Sequence, residues 1–249
     1  MASRVSSDSN VSEGTSPNGF ATVWDEVPFS LSDSQKDLMR RHLELVLERN
    51  RVVNLTAITD VDEAPYLHIL DSLLLKDAFD AAPAGPFVDI GCGAGFPGIP
   101  LAIACGRPAT LVDSVRKKAQ ATADFVDELG LENVRVEAVR IEDLARREGG
   151  RYAVACARAV APAGVIVEYA APLLRKGGRL VVAKARPDDE EVARAMRVAK
   201  ISGMAYVSRE TYELPYGLGH REVLSFEKVG KPRVKLPRAT GKARHEPLG

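Results

Sequence analysis

Four things are scarce or missing in this chain of 249 residues, and each closes off a class of function. Cysteine occurs only three times, at Cys92, Cys105 and Cys156, with no CxxC pair and no companion cluster of histidines. Neither a disulfide framework nor a zinc site is supported, and a reducing cytoplasm fits. No stretch approaches the roughly 20 apolar residues that span a bilayer, and the first residues are polar where a signal peptide would have an apolar core. A cytosolic protein is expected. Net charge is missing too: 34 basic residues balance 34 acidic ones, so only the distribution of charge can point to a polyanionic partner. There is no internal repeat, which sets solenoids aside.

What is present is globular. Hydrophobic residues make up 45% of the chain and charged residues 27%, enough apolar mass for one α/β domain with a small helical extension. Residues 1–22 are serine-rich and poor in aliphatics, so they cannot repay the entropy of ordering and are expected as a disordered leader. Ser32 and Gln35 have capping-box spacing, and Leu38, Met39, Leu43, Val46 and Leu47 fall on one helical face after them. A second helix is expected from about Glu63 to Phe79, with Leu67, Leu70 and Leu74 on its apolar side and His68 and Asp71 one turn apart. Together these form a helical extension over residues 23–82.

From Phe87 the pattern changes to short apolar runs, FVDI, ATLVD, VRVEAV, YAVACA and RLVVAK, separated by amphipathic stretches. Strands alternating with helices mean βαβ units and a mostly parallel sheet. Past Gly177–Gly178 come a helix, Asp188 to Ile201, and two strand candidates, MAYVSRE and EVLSFEKV, with no long helix between them. That ending suggests an antiparallel hairpin closing a domain that spans residues 83–230, with a basic tail over residues 231–249.

The most informative run is FVDIGCGAGFPGIP, Phe87 to Pro100: a buried strand, an acid near its end, then Gly91, Gly93, Gly95 and Gly98 leading into a helix. Glycines let such a turn take conformations closed to other residues and let a ligand lie against main-chain amides. Gly93, Gly95 and Gly98 satisfy the dinucleotide pattern GxGxxG, which alone is a weak signal. Asp89, ahead of the glycines, could attract a ligand's ammonium group but would repel a pyrophosphate. Pro97 and Pro100 bracket Gly98, which makes close helix packing there less like the dinucleotide case. The next strand ends in Asp113, 22 residues past Gly91, where an acid can bind both hydroxyls of an adenosine ribose. That spacing suits either ligand.

Further segments complete a pattern: NLTAI at 54–58, HILDS at 68–72, LVDSVRKK at 111–118, RIED at 140–143, ARAVAP at 157–162 and PRATGKARHEPL at 237–248. With the glycine segment VDIGCGAGFPGIPLAI at 88–103, the chain resembles the RsmG (GidB) family of bacterial small-subunit ribosomal RNA guanine-N7 methyltransferases, from about Asn50 to its end. The resemblance implies a class I S-adenosylmethionine-dependent methyltransferase, Rossmann-like, with a seven-stranded mostly parallel sheet and helices on both faces. It implies S-adenosylmethionine as donor and, as target, the guanine that the family numbers 527 in 16S ribosomal RNA of the 30S subunit. A monomer needing neither membrane nor metal is expected. By position, Gly91 and Phe96 match the cofactor loop, Ile141 and Glu142 the pair beside the adenine, and Arg158 the arginine after the fourth strand, while Gly93 is a cofactor candidate from the glycine pattern and Asp113 follows from fold and family alike. The family has Lys-Gly after its fifth strand, where this chain has Lys184 and Ala185.

Guanine N7 carries an in-plane lone pair and no hydrogen, so its attack on a sulfonium methyl requires no general base, and no catalytic acid or base is assigned. Neither an Asn/Asp-Pro-Pro-aromatic motif nor a Pro-Cys nucleophile occurs in the sequence. Rate would then rest on alignment and on electrostatic placement of a base taken out of its stack. Arg158, just past a strand, sits at the carboxyl edge where α/β sheets bind ligands. It is expected to work in the site and not in the fold. Lys184 has a similar location and could face RNA phosphate or guanine O6, or snorkel from the strand end. His68 could line the cleft on the substrate side or be structural. Residues 231–244 hold Lys231, Arg233, Lys235, Arg238, Lys242 and Arg244 with no acid among them, suited to phosphates or to a solvated tail. Arg116, Lys117 and Lys118 open a helix, a poor place for three cations, and offer a second phosphate site. On residues alone, a nicotinamide-dependent oxidoreductase and a non-catalytic RNA-binding assembly factor stay open.

Overall fold

In a computed structural model, residues 17–249 are described; residues 1–16, most of the expected leader, lie outside them. Ordered packing begins ahead of residue 23, with a 3-10 turn at Gly19–Ala21. Phe20 is the physical reason, since its ring stacks on Trp24 at 5.8 Å, and the hydroxyls of Thr22 and Tyr66 are hydrogen-bonded. Helix α1, Asp33–Asn50, starts on the capping box read from the sequence: Ser32 Oγ accepts from the Gln35 amide at 3.2 Å, and Gln35 Oε1 accepts from the Ser32 amide at 2.9 Å. Its apolar face buries Met39, Leu43 and Val46.

The second expected helix is broken into three pieces: a π-type turn at Pro65–Leu70, α2 at Asp71–Leu73 and α3 at Lys76–Asp80. Pro65 brings no amide to the ladder, and the Ser72 hydroxyl donates to the His68 carbonyl at 2.5 Å, so a side chain competes for that backbone oxygen. The wide turn puts His68 and Asp71 on the same inward side.

Alternating strands and helices follow: β1 Phe87–Ile90, α4 Gly98–Cys105, β2 Ala109–Val112, α5 Arg116–Glu128, β3 Val134–Glu137, α6 Ile141–Glu148, β4 Tyr152–Arg158, α7 Ala163–Ala170, β5 Leu174–Lys184 and α8 Asp189–Ser202. The closing hairpin is β6 Met204–Leu214 and β7 Gly219–Lys228, and a last turn of helix, α9, spans Lys242–His245. The seven strands lie in the order β3-β2-β1-β4-β5-β7-β6, parallel except that β7 runs antiparallel to both of its neighbours. The expected fold class and hairpin are both present. An all-parallel dinucleotide sheet would carry its sixth strand beside the fifth in place of this inserted antiparallel strand.

Both sheet faces are covered, which is why the strands read as continuous apolar runs. Phe87, Val154, Cys156 and Val181 face α1, α4 and α5 in one apolar cluster. Val88, Ile90, Ala155 and Leu180 face α6, α7 and α8 in the other. Strand order reverses between β1 and β4, and a crevice opens at the carboxyl ends of these strands.

Candidate active site

That crevice is a cleft of about 850 Å³, and the residues expected to hold cofactor or substrate line it: Gly91, Gly93, Phe96, Ile141, Glu142 and Asp113 with Arg158, Lys184 and His68, though not Asp89. Such a volume suits a cofactor-sized ligand.

On one side lies the glycine loop. Gly93 has φ +55°, and a Cβ there would meet nothing within 4 Å, so the backbone faces open cleft in a conformation L side chains avoid. Its amide donates to Asp113 Oδ2 at 3.1 Å and its carbonyl accepts from the Thr122 hydroxyl at 2.7 Å. The Val115 amide donates to Asp113 Oδ1 at 2.8 Å. Asp113 is thus aimed by two backbone amides, and each oxygen keeps lone-pair capacity for a ribose hydroxyl.

Two expectations about this loop are corrected. Asp89 does not reach the cleft: it is fully buried beneath the loop, where the Gly98 amide at the start of α4 donates to its Oδ2 at 2.9 Å. Burial, the dominant influence, pushes its pKa up to about 7, against the opposing pull of that amide. Asp89 therefore caps a helix under the loop and cannot meet a ligand's ammonium directly. The prolines do not prevent close packing at Gly98 either, because a Cβ there would fall 2.3 Å from Leu111 Cδ2.

The opposite side of the cleft is built by the amino-terminal helices. The His68 ring stacks on Phe96 with centroids 4.5 Å apart and planes 10° from parallel. His68 Nε2 lies 3.1 Å from Thr56 Oγ1, and Arg158 Nη2 lies 3.3 Å from His68 Nδ1. Burial foremost, and then the Arg158 charge, lower the His68 pKa to about 3, so the ring is neutral. The consistent tautomer accepts at Nδ1 from Arg158 and donates from Nε2 to Thr56. The same aromatic also meets His42 of α1, with ring centroids 4.5 Å apart, and His42 donates from Nε2 to the Ala94 carbonyl at 2.9 Å, tying α1 to the loop.

Arg158 is less free than its sequence position suggests. Its Nη1 donates to Asp71 Oδ2 at 2.7 Å and to the Leu67 carbonyl at 3.0 Å, and its guanidinium lies 5.5 Å from the Phe96 ring centroid. Asp71 Oδ1 accepts from Arg221 Nε at 3.0 Å, so one carboxylate holds two arginines. The expectation that Arg158 works in the site and not in the fold is corrected: it lines the cleft and also joins β4 to the amino-terminal helices. Arg221 went unread in the sequence. Lys184 is also engaged, 2.7 Å from Glu191 Oε1, an oxygen that accepts from the Ala163 amide at 2.8 Å as well.

Val112, Val139 and Ile141 supply apolar surface to the cleft, and Glu142 lines it as well. Glu142 Oε1 accepts from the Gly241 amide at 2.8 Å, so the basic carboxyl-terminal segment lies against the domain. Among the described residues, no group of three or more His, Cys, Asp or Glu is placed to hold a metal, and no helix is long and apolar enough to cross a membrane.

Comparison with known proteins agrees with this geometry. Residues 35–214 match the model of the GidB family, rRNA small subunit methyltransferase G. The chain is 40% identical over 221 residues to the ribosomal RNA small subunit methyltransferase G of Chloroflexus aggregans, covering 88% of this chain and 92% of that one. It is 35% identical over 236 residues to the protein of the same name from Streptococcus thermophilus, covering 93% and 99%. Among solved structures it is similar to the Burkholderia thailandensis 1,6-didemethyltoxoflavin-N1-methyltransferase bound to S-adenosylhomocysteine, with TM-score 0.53, 18% identity and coverage of 82% and 92%. At that identity the likeness concerns the fold.

Proposed function

This chain belongs to the rRNA small subunit methyltransferase G family, and we propose from that membership that it transfers a methyl group from S-adenosylmethionine to N7 of a guanine in 16S ribosomal RNA. The observation that carries the reading is one cleft with two unlike sides: a glycine loop with its aimed carboxylate, facing a polar wall of His68, Arg158, Asp71 and Arg221. A donor on the first side and a base on the second would meet near Phe96.

The residues fit the donor. Gly93 leaves backbone open where a ligand would approach, Asp113 offers acceptors to ribose hydroxyls, and Ile141 with Glu142 gives a flat apolar seat beside an acceptor for an exocyclic amine. When bound, S-adenosylmethionine supplies an electrophilic methyl on a sulfonium. The polar wall has the job of holding the base. Both nitrogens of His68 and both oxygens of Asp71 are committed to partners within the protein, so these groups orient and do not take a proton. N7 has none to give. Catalysis is then positioning, the effect that converts an encounter into an aligned displacement.

In this reading residues 83–230 hold the donor and residues 23–82 supply most of the substrate wall, with Arg158, Lys184 and Arg221 reaching it from the sheet. The full partner is the 30S subunit in the cytoplasm, met by a monomer. The test is methyl transfer from S-adenosylmethionine to 30S subunits, with the modified nucleotide mapped. Label at the ring nitrogen of a single 16S guanine is expected. A folded protein that binds S-adenosylhomocysteine yet labels no 16S nucleotide would overturn the substrate assignment.

A further inference from the structure

The basic carboxyl-terminal segment reads from its sequence as suited to phosphates or as a solvated tail, yet its two halves differ in placement. Over residues 231–236 exposure alternates: Lys231, Arg233 and Lys235 are exposed, and Pro232, Val234 and Leu236 are half-buried. That half turns its cations to solvent. From residue 237 the chain contacts the domain through Arg238, Gly241, Ala243 and Arg244, while Ala239, Thr240 and Lys242 between them stay exposed. Arg238 makes a two-pronged ion pair with Glu168, Nε to Oε1 at 2.6 Å and Nη2 to Oε2 at 2.7 Å, on a carboxylate only 4% exposed. The Arg238 carbonyl accepts from Arg146 of α6, and Ala243 is buried against α7.

Two contacts carry this anchored segment to the donor side of the cleft. The Gly241 amide holds Glu142 Oε1, and Glu142 stands in the first turn of α6, 6% exposed, at the cleft end where an adenine would follow a ribose on Asp113. Arg244 lines the cleft and donates to the Val160 carbonyl at 2.9 Å. Val160 packs on the glycine loop so closely that a Cβ on Gly91 would fall 2.6 Å from its Cγ2. Tyr169, which also lines the cleft, feels both neighbours: burial raises its pKa most, Glu142 adds to the rise, and Arg244 opposes it. Without the segment, the Glu142 carboxylate would lose its amide partner, Glu168 would be a buried carboxylate without its cation, and the Val160 carbonyl would lose the donor that steadies it over Gly91.

We propose that residues 237–248 form the outer wall of the donor's nucleoside pocket, with Arg238, Gly241 and Arg244 acting as positioning residues that hold Glu142 and Val160 in place. The inference rests on the reading of the cleft as an S-adenosylmethionine site. It assigns to this basic segment a role in donor affinity that is separate from any contact with RNA. The outward cations of 231–235 and the domain contacts of Arg238, Gly241 and Arg244 divide the work between substrate and donor.

The test is calorimetry with S-adenosylhomocysteine on the full-length protein and four variants, with melting temperature followed for each. Arg238→Ala releases the anchor, Arg238→Lys keeps one ionic contact, a chain ending at Leu236 removes the wall, and Lys235→Ala removes an outward cation only. The expected result is affinity at least tenfold weaker for Arg238→Ala and for the shortened chain, largely restored in Arg238→Lys and unchanged in Lys235→Ala. In methyl transfer, Arg238→Ala should raise KM for S-adenosylmethionine and leave KM for the subunit near the wild-type value. If the shortened chain does not fold, Arg238→Ala carries the test. Affinity within twofold of wild type in folded Arg238→Ala would overturn the proposal, as would a loss confined to subunit binding. Failure of the wild type itself to bind S-adenosylhomocysteine would instead overturn the reading of the cleft.

Discussion

The shared carboxylate of Asp71 gives a ranking that a simple count of contacts would reverse. Arg158 makes more hydrogen bonds than Asp71, so its removal would look worse. The charges say otherwise. Asp71 is 7% exposed and sits between Arg158 and Arg221, whose side chains are 14% and 16% exposed. Asp71→Ala leaves two half-buried guanidiniums with no carboxylate between them, and removing one partner of a buried ion pair costs about 3–5 kcal/mol. Arg158→Ala leaves Asp71 still neutralised by Arg221, so the loss is that of hydrogen bonds to a charged group, about 1.5–3 kcal/mol. In a chain of this size each kcal/mol lowers the melting temperature by roughly 2–4 °C, so Asp71→Ala should melt roughly 6–20 °C early and Arg158→Ala roughly 3–12 °C. Thermal melts of the two single variants decide the order. Methyl transfer measured below both midpoints should still collapse in Arg158→Ala, since its guanidinium lines the cleft beside Phe96. An Arg158→Ala protein that melts below Asp71→Ala, or an Asp71→Ala protein that melts with the wild type, would refute the reasoning.

Three further outcomes can be measured directly. Asp113→Ala should weaken S-adenosylhomocysteine binding by about 1.5–3 kcal/mol, roughly ten- to a hundredfold in calorimetry, while the fold survives; unchanged affinity would remove Asp113 from the donor site. Because burial raises the Asp89 pKa from 3.8 to about 7, the folded state holds this proton where the unfolded chain has lost it, and stability contributed by the neutral acid falls as pH rises from about 4 to 7. Asp89→Asn keeps an acceptor for the Gly98 amide, so its denaturation midpoint relative to wild type should rise across that window, and a constant difference would contradict the assignment. Replacing Lys231, Arg233 and Lys235 together by Ala should flatten the salt dependence of subunit binding by about 0.7–0.9 per lost phosphate contact and leave calorimetry with S-adenosylhomocysteine unchanged; equal salt slopes would show that the outward cations touch no phosphate.

The glycine-loop side of the cleft was legible in the sequence because its signals are local. Glycines at fixed offsets from a strand, an acid at the end of the next strand and a Ser-x-x-Gln cap each act within a few residues or one βα unit, and each is where the spacing put it. Asp89 shows the limit of that method. An acid near a strand end reads as ligand-facing, yet the side chain of a strand points to one face or the other. Asp89 pairs in register with Cys156 and Leu111, on the face covered by α4, so its only reachable donor is the amide of Gly98. The break in the second helix was equally invisible, because apolar periodicity records which face is buried and not whether a hydroxyl has taken a backbone carbonyl from the ladder.

Arg221 was missed for a topological reason. In a wholly parallel sheet every strand delivers its last residues to the ligand edge, so candidate residues are sought just after apolar runs, where Asp113, Arg158 and Lys184 were found. Strand β7 is inserted antiparallel, with Lys184 of β5 opposite Glu222 and Ala183 opposite Val223. Its first residues, not its last, therefore stand at the carboxyl edge, and the polar start Gly219-His220-Arg221-Glu222 ahead of the apolar stretch is the signal that could have been read. The hairpin does more than close the sheet: by reversing one strand it lets Arg221 reach Asp71 from the side opposite Arg158, so a single carboxylate on the amino-terminal helices fixes the ends of two strands at the cleft.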